Sequence, residues 1–286
     1  MTHVIRRFLV GLATGLLALG GCIVAVNGTG GGQPAAAAPA PPCGTGQPKA
    51  YQHVVWILME NKSYSDIVGN PSAPYINNLM NQCAHAQVQH TVHPSLPNYI
   101  ELTSGGTQGV TDDLPPAAHP LSAASIFSQL NGNWRSFAES MPHACTLTNS
   151  GKYAPRHVPA TYYTNIRSLC KTHVLPYSAV PKLNSKFTMI TPNLVHDMHN
   201  GTSVTQEIKT GDTYLATFLP KLFATTAYTS GLTEVIVTWD EGNATSNVVP
   251  AIFISPSIGP NTDLGTMTDV DLLHNTESTL GLPALP

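Results

Sequence analysis

The run HVVWILMEN, residues 53–61, is apolar at every position from Val54 to Met59 and then stops at Glu60 and Asn61. A strand with one wet face alternates apolar and polar residues. A strand without alternation is buried on both faces, as in a parallel sheet covered by helices. KFTMITPN (186–193) and TEVIVTWDEG (233–242) repeat the form, each ending in polar residues, and VVPAIFISP (248–256) is a fourth run without terminal carboxylates. Helix-like stretches fall at 122–131, 211–228 and 271–281. The pattern predicts an α/β fold with a mainly parallel central sheet and helices on both faces. In such sheets ligands bind beyond the carboxyl ends of the strands. Polar clusters far apart in sequence are therefore expected to meet there.

Three clusters carry chemistry. Asp240 and Glu241 end one strand, and adjacent carboxylates removed from water repel unless a cation offsets them. With Glu60 and Asn61 they form an oxygen-rich set suited to a hard divalent ion such as Ca, Mg or Mn, with Zn as the alternative. TPNLVHDMHN (191–200) brings Asp197 and His199 close enough to bind a metal or to orient and protonate a leaving group. His157 sits in a loop stiffened by Pro155 and Pro159. In HTVHPSLPNYIELTSGG (90–106), Ser95 lies between Pro94 and Pro97, where local rules alone make it a turn residue.

The net charge of −3 and the lack of a basic run exclude a nucleic-acid scaffold as partner. Arg6 and Arg7 precede an apolar run at 8–26, the form of an export signal that is also long enough to anchor. LGGC, ending at Cys22, resembles a lipobox, so lipidation and membrane attachment through this segment stay open. Residues 27–42 read as an Ala/Pro/Gly linker and 43–286 as one catalytic domain. The expected location is secreted or cell-envelope. Four cysteines beyond Cys22 suggest two disulfides there; Cys43 with Cys83 and Cys145 with Cys170 close the shorter loops, and the other two pairings stay open.

Taken in order, MENKSYSDIVG, HPSLPNYIELTSGGTQGVTDD, WRSFAESMP, YAPRHVP, TPNLVHDMHN, VTWDEG and LLHNTESTLGLP resemble the bacterial phosphoesterase family of secreted acid phosphatases and phospholipases C. That family belongs to the alkaline-phosphatase superfamily. The resemblance spans residues 51–283 and implies an alkaline-phosphatase-like sandwich. It implies Ser95 as nucleophile, Asn98 and His157 as contacts to the phosphoryl group of a small phosphate ester, and Asp197 and His199 as catalytic partners. It also implies metal ligation by Glu60, Asn61, Ser95, Asp240 and Glu241. One departure stands out: Asp269 occupies a position where the family often has histidine, and His274 replaces an arginine. His274 is therefore left out of the catalytic set.

The implied reaction is metal-assisted attack of Ser95 on phosphorus, with His199 protonating the leaving oxygen and water releasing the phosphoserine. Phospholipases C of this family tend to carry additional C-terminal β domains, and the chain stops after LGLPALP, so a phosphomonoesterase is expected. A phospholipase C-type phosphodiesterase is the alternative, and a retired surface binding protein on the same fold is the rival from another class.

Overall fold

The computed structural model describes residues 41–46, 50–243 and 245–286. The export segment, Cys22 and the linker up to residue 40 lie outside the described residues. Eight strands form one sheet: β1 (His53–Met59), β2 (Ala84–Gln89), β3 (Trp134–Glu139), β4 (Val174–Tyr177), β5 (Phe187–Thr191), β6 (Thr233–Trp239), β7 (Val248–Ile254) and β8 (Thr262–Thr268). Their order is β4-β3-β5-β1-β6-β7-β2-β8. The run that opened the sequence reading is the central β1, with every residue from Val54 to Met59 inaccessible to solvent. It pairs in parallel with β5 on one side and β6 on the other.

The sheet is mostly parallel, and β7 is the exception, running antiparallel to both β6 and β2. Residues 240–247 are the whole connection between β6 and β7. A parallel crossover needs about a dozen residues or more, so so short a link returns the chain as a hairpin. The sequence showed that β7 was buried. It could not show its direction.

The predicted helices are present with altered bounds. The 211–228 stretch is the end of a longer helix, Val204–Phe223, capped by the Ser203 side chain, followed by a single turn at Thr226–Thr229. Gly211 looked like a start but lies mid-helix, where the Met198 side chain packs against it. The 122–131 stretch shrinks to Ile126–Gln129, because Asn131 and Gly132 both take left-handed backbone angles that end it. The 271–281 stretch begins at Asp269, capped by Thr268. Helices Pro74–Gln82 and Ser95–Ser104 and strands β2, β3, β4 and β8 were not anticipated. β8 is an exposed edge with no apolar stretch to announce it.

Both expected disulfides are present, Cys43 with Cys83 and Cys145 with Cys170. Order reaches back past Cys43, since the Tyr228 hydroxyl donates to the Pro42 carbonyl at 2.6 Å. No helix among the described residues is long and apolar enough to cross a membrane.

Candidate functional site

The site begins where β1, β5 and β6 run out. Pairing of β6 with β1 continues one residue further, the Asp240 amide donating to the Met59 carbonyl at 3.0 Å, while the Glu60 amide reaches across to the Asp197 carbonyl at 2.8 Å, in the turn six residues beyond β5. The Glu60 and Asp240 clusters are thus fixed by the strands that precede them, and the Asp197 turn by its backbone bond to Glu60. Asn61 takes a left-handed backbone (φ 49°) and its amide N–H donates to Asp240 Oδ1 at 3.1 Å. Its side-chain nitrogen donates to Glu241 Oε1 at 2.7 Å.

Ser95 is no turn residue. It is the first residue of the helix Ser95–Ser104, entered through a cis peptide bond between His93 and Pro94. Pro97 is tolerated because first-turn N–H groups have no partner within the helix. The Leu96 amide beside Ser95 instead donates to Asp113 Oδ1 at 2.9 Å. The Ser95 hydroxyl donates to Glu60 Oε2 at 3.1 Å and reaches Glu241 Oε1 at 3.4 Å. Tyr99 falls one turn later on the same helix face, and its hydroxyl donates to Glu60 Oε1. One buried carboxylate therefore receives both side chains of the helix.

His157 is the last residue of the 3-10 turn Pro155–His157 and is 2% exposed. Its ring stacks on Tyr99, with Nε2 3.2 Å from Glu60 Oε1 and Nδ1 3.4 Å from Asp197 Oδ2. Asp197 holds His199 through its backbone, taking the His199 amide N–H at 2.8 Å. The His199 ring has other partners: Arg156 Nη2 donates to Nε2 at 3.2 Å, and Nδ1 lies 2.8 Å from Asn200 Oδ1. A guanidinium has no lone pair to accept with, so Nε2 accepts and Nδ1 carries the proton. Asn98 uses its side-chain N–H groups on the Val92 and Pro94 carbonyls, both at 3.2 Å, and on Glu241 at 3.4 Å.

All nine residues singled out in the sequence therefore join one connected cluster. Tyr99, His93 (Nδ1 2.5 Å from Glu241 Oε2), Arg156 and Asp113 belong to its surroundings and were missed. Tyr99 would have been found had the helix been recognised, by its spacing of four from Ser95. The Asp269 departure also has an explanation. Asp269 and His90 are a buried pair 2.8 Å apart, and His274 gives a ring nitrogen to the Leu285 carbonyl at 2.8 Å.

The Asp197 loop is held from behind. Lys62 is 4% exposed, and its ammonium donates to the Met198 carbonyl at 2.9 Å, the Asn61 carbonyl at 3.2 Å and Glu207 at 3.1 Å. Met198 has a left-handed backbone (φ 84°) and a fully buried side chain lying where a Cβ at Gly211 would be.

Electrostatically the cluster is crowded with acid. Burial, with the Asp240 and Asp197 charges beside it, holds Glu60 well above the usual carboxylate range. Burial likewise raises Asp197 strongly and Asp240, and with Asp240 and Asp113 it pushes Glu241 up to about 8. His157 is driven well below the ordinary imidazole value by burial, with Arg156 and His199 adding to it. Such a set ionises together when a cation is among it. Asp240 Oδ2, Asp197 Oδ2, Asn98 Oδ1 and His157 Nε2 are buried without a hydrogen-bond partner. Glu60, His157 and His199 each place a ligand atom within 4.8 Å of the others. Unpartnered oxygens, mutual repulsion and adjacent imidazoles fit a divalent metal, with Glu60 common to both the expected oxygen set and the Glu-His-His group.

The model of the family described as "Phosphoesterase family" matches residues 70–270. The chain is similar to a phosphatidylinositol-3-phosphatase of Mycobacterium tuberculosis, 34% identical over 244 residues that cover 82% of this chain and 78% of that protein. It is also similar to an acid phosphatase of Aspergillus fumigatus, 23% identical, covering 82% of this chain and 56% of the fungal one. Among solved structures it resembles an alkaline phosphatase superfamily protein from Vibrio parahaemolyticus (TM-score 0.59, 14% identity, 85% of this chain and 69% of that one). Murine ectonucleotide pyrophosphatase/phosphodiesterase 5 gives a TM-score of 0.54 at 14% identity, covering 82% and 96%.

Proposed function

The chain belongs to the phosphoesterase family, and on that footing we propose that it is an exported, metal-dependent acid phosphatase that cleaves phosphate monoesters through a phosphoserine at Ser95. The observation that carries this reading is the Ser95 hydroxyl at the start of a ten-residue helix, 3.1 Å from a fully buried Glu60.

Glu60, Asn61, Ser95, Asp240 and Glu241 would hold the metal, with the His157 and His199 rings beside Glu60. When bound, a divalent ion polarises the serine hydroxyl and offsets charge on the phosphoryl oxygens. The chain's own groups do the rest. Ser95 attacks phosphorus while its proton passes along the existing hydrogen bond to Glu60 Oε2, and the bond from phosphorus to the ester oxygen breaks. The helix N-terminus at Ser95 places positive partial charge beside the phosphoryl group. His157, kept neutral by burial, binds a phosphoryl oxygen, and Asn98 does so by turning a side-chain N–H away from its 3.4 Å contact with Glu241. His199, positioned by Asp197 through its backbone, reacts as the imidazolium, its Nε2 released by Arg156 and carrying the proton that passes to the leaving oxygen. Water then attacks the phosphoserine and gives a proton to His199 Nε2, the bond from phosphorus to the Ser95 oxygen breaks, and Glu60 returns its proton to that oxygen, so both groups regain their starting states.

Three curated relatives support a monoesterase over a phospholipase C, since each bears a phosphatase name. Export is supported by two disulfides, which persist in oxidising compartments. The test is a panel of p-nitrophenyl phosphate and p-nitrophenylphosphorylcholine across acid and neutral pH, with chelation and add-back of individual metals. Release from the first alone, abolished by chelator and restored by metal, is expected. Release from the choline ester alone would overturn the monoesterase assignment.

A further inference from the structure

Arg156 was not singled out by its sequence, yet it stands beside His199 and Asp113 at the cluster with donors unused. Its guanidinium gives one hydrogen bond, to His199, and sits 3.6 Å from Asp113 Oδ2, an ion pair on which Nε makes no hydrogen bond. A guanidinium presents five N–H donors in a planar fork matched to oxyanions. Most of that capacity is idle here. The side chain is 16% exposed, so it is neither free in solvent nor closed off.

Its surroundings make the idle donors informative. Lys62 has its three donors engaged on Met198, Asn61 and Glu207. The neighbouring side chains Glu60, Asp197, Asp240, Glu241 and Asp113 are acidic, and a dianion approaching them is repelled. Asp113 ties the arginine to the nucleophile: its other oxygen takes the Leu96 amide beside Ser95. The backbone at Arg156 is confined by Pro155, by its 3-10 turn and by the Cys145–Cys170 disulfide that closes the loop containing it.

On the phosphatase reading above, we propose that Arg156 is a substrate-binding residue that selects the doubly charged phosphate group of a monoester over the singly charged group of a diester. The guanidinium exchanges its single contact with His199 for two oxygens of the phosphate, while Asp113 keeps it beside the helix that carries Ser95. The exchange leaves His199 Nε2 free. A diester has one fewer charged oxygen and a second substituent in its place, so it gains less from the fork.

The test compares full-length, metal-reconstituted Arg156→Gln and Arg156→Lys proteins with the unaltered chain. Substrates are p-nitrophenyl phosphate and bis(p-nitrophenyl) phosphate, and binding of inorganic phosphate is followed by calorimetry. Arg156→Gln should lose roughly tenfold to hundredfold in kcat/KM on the monoester, mainly through KM, and weaken phosphate binding by about the same factor. Its loss on the diester should be at least about tenfold smaller, and Arg156→Lys should recover part of the monoester activity. Equal losses on both esters, or unchanged phosphate binding, would reduce Arg156 to a prop for His199 and overturn the proposal. If the unaltered chain cleaves neither ester, the phosphatase reading fails, and phosphate calorimetry still decides whether Arg156 binds the anion. Melting temperatures of both variants establish that they fold.

Discussion

Gly211 faces Met198 where the helix Val204–Phe223 meets the loop bearing Asp197 and His199, and a Cβ at position 211 would overlap the methionine side chain. Met198 is flanked in sequence by two proposed catalytic residues and has a left-handed backbone held by Lys62. Displacing it moves the loop. Gly211→Ala is expected to lower stability by up to about 2 kcal/mol, because overpacking of about 1–3 kcal/mol is set against roughly 1 kcal/mol of helix propensity gained. The same variant should lose phosphatase activity at temperatures where it remains folded. Urea unfolding beside kcat checks both; a stabilised, fully active variant would show that the contact does not position the loop.

Ser95→Ala removes the proposed nucleophile and one hydrogen bond to Glu60. Turnover should fall by about 10³ or more, with metal content retained through the remaining ligands. Acid-quenched unaltered enzyme should yield a phosphorylated peptide containing Ser95, and the variant none. Comparable turnover in Ser95→Ala would remove Ser95 from the mechanism.

Glu234, near the start of β6 and away from the site, supplies a pH test independent of metal. It is 6% exposed, and burial raises its pKa from 4.5 to about 7. Below pH 4.5 the folded and unfolded chains both hold the proton, so the group has no effect on the balance. Between 4.5 and about 7 the unfolded chain releases it while the folded chain keeps it, so stability falls as pH rises, then levels off. The full loss is about 3 kcal/mol. Glu234→Gln should match the parent near pH 4 and exceed it above neutrality; parallel stability curves would place the pKa of Glu234 near its ordinary value.

Cys145 and Cys170, 25 residues apart, close the loop that carries Arg156 and His157. Replacing both by serine should cost about 3 kcal/mol through loop entropy in the unfolded chain. KM should rise as the loop loosens; the Cys43–Cys83 loop also holds site residues, Glu60 and Asn61, but β1 is paired on both sides, so removing that bond should leave KM unchanged. Chemical denaturation and steady-state kinetics on the two double variants separate these outcomes.

Much of the site was legible because β1, β5 and β6 are buried on both faces. Continuous apolar runs announced them, and in a parallel sheet the residues just past such runs share one edge. That brings Glu60, Asn61, Asp197, His199, Asp240 and Glu241 to one edge from the sequence alone. Ser95, Asn98 and His157 needed the family resemblance, since nothing in a Pro-Ser-Leu-Pro stretch distinguishes a turn from a helix start. Gly211 misled for a related reason: glycine reads as a boundary, and its role here is to admit Met198.

The sequence by itself determined the two-sided central strands, the polar residues at their ends and the number of cysteines available to pair, because burial pattern and residue type are local properties. Tertiary structure decided the rest. The short link after β6 reversed β7, the helix at Ser95 set both the serine hydroxyl and the Tyr99 hydroxyl on Glu60, and the 3-10 turn brought Arg156 to His199. Those relationships join residues dozens of positions apart. Only packing fixes the distances between them, and distance decides whether a carboxylate, an imidazole and a guanidinium act on the same phosphate.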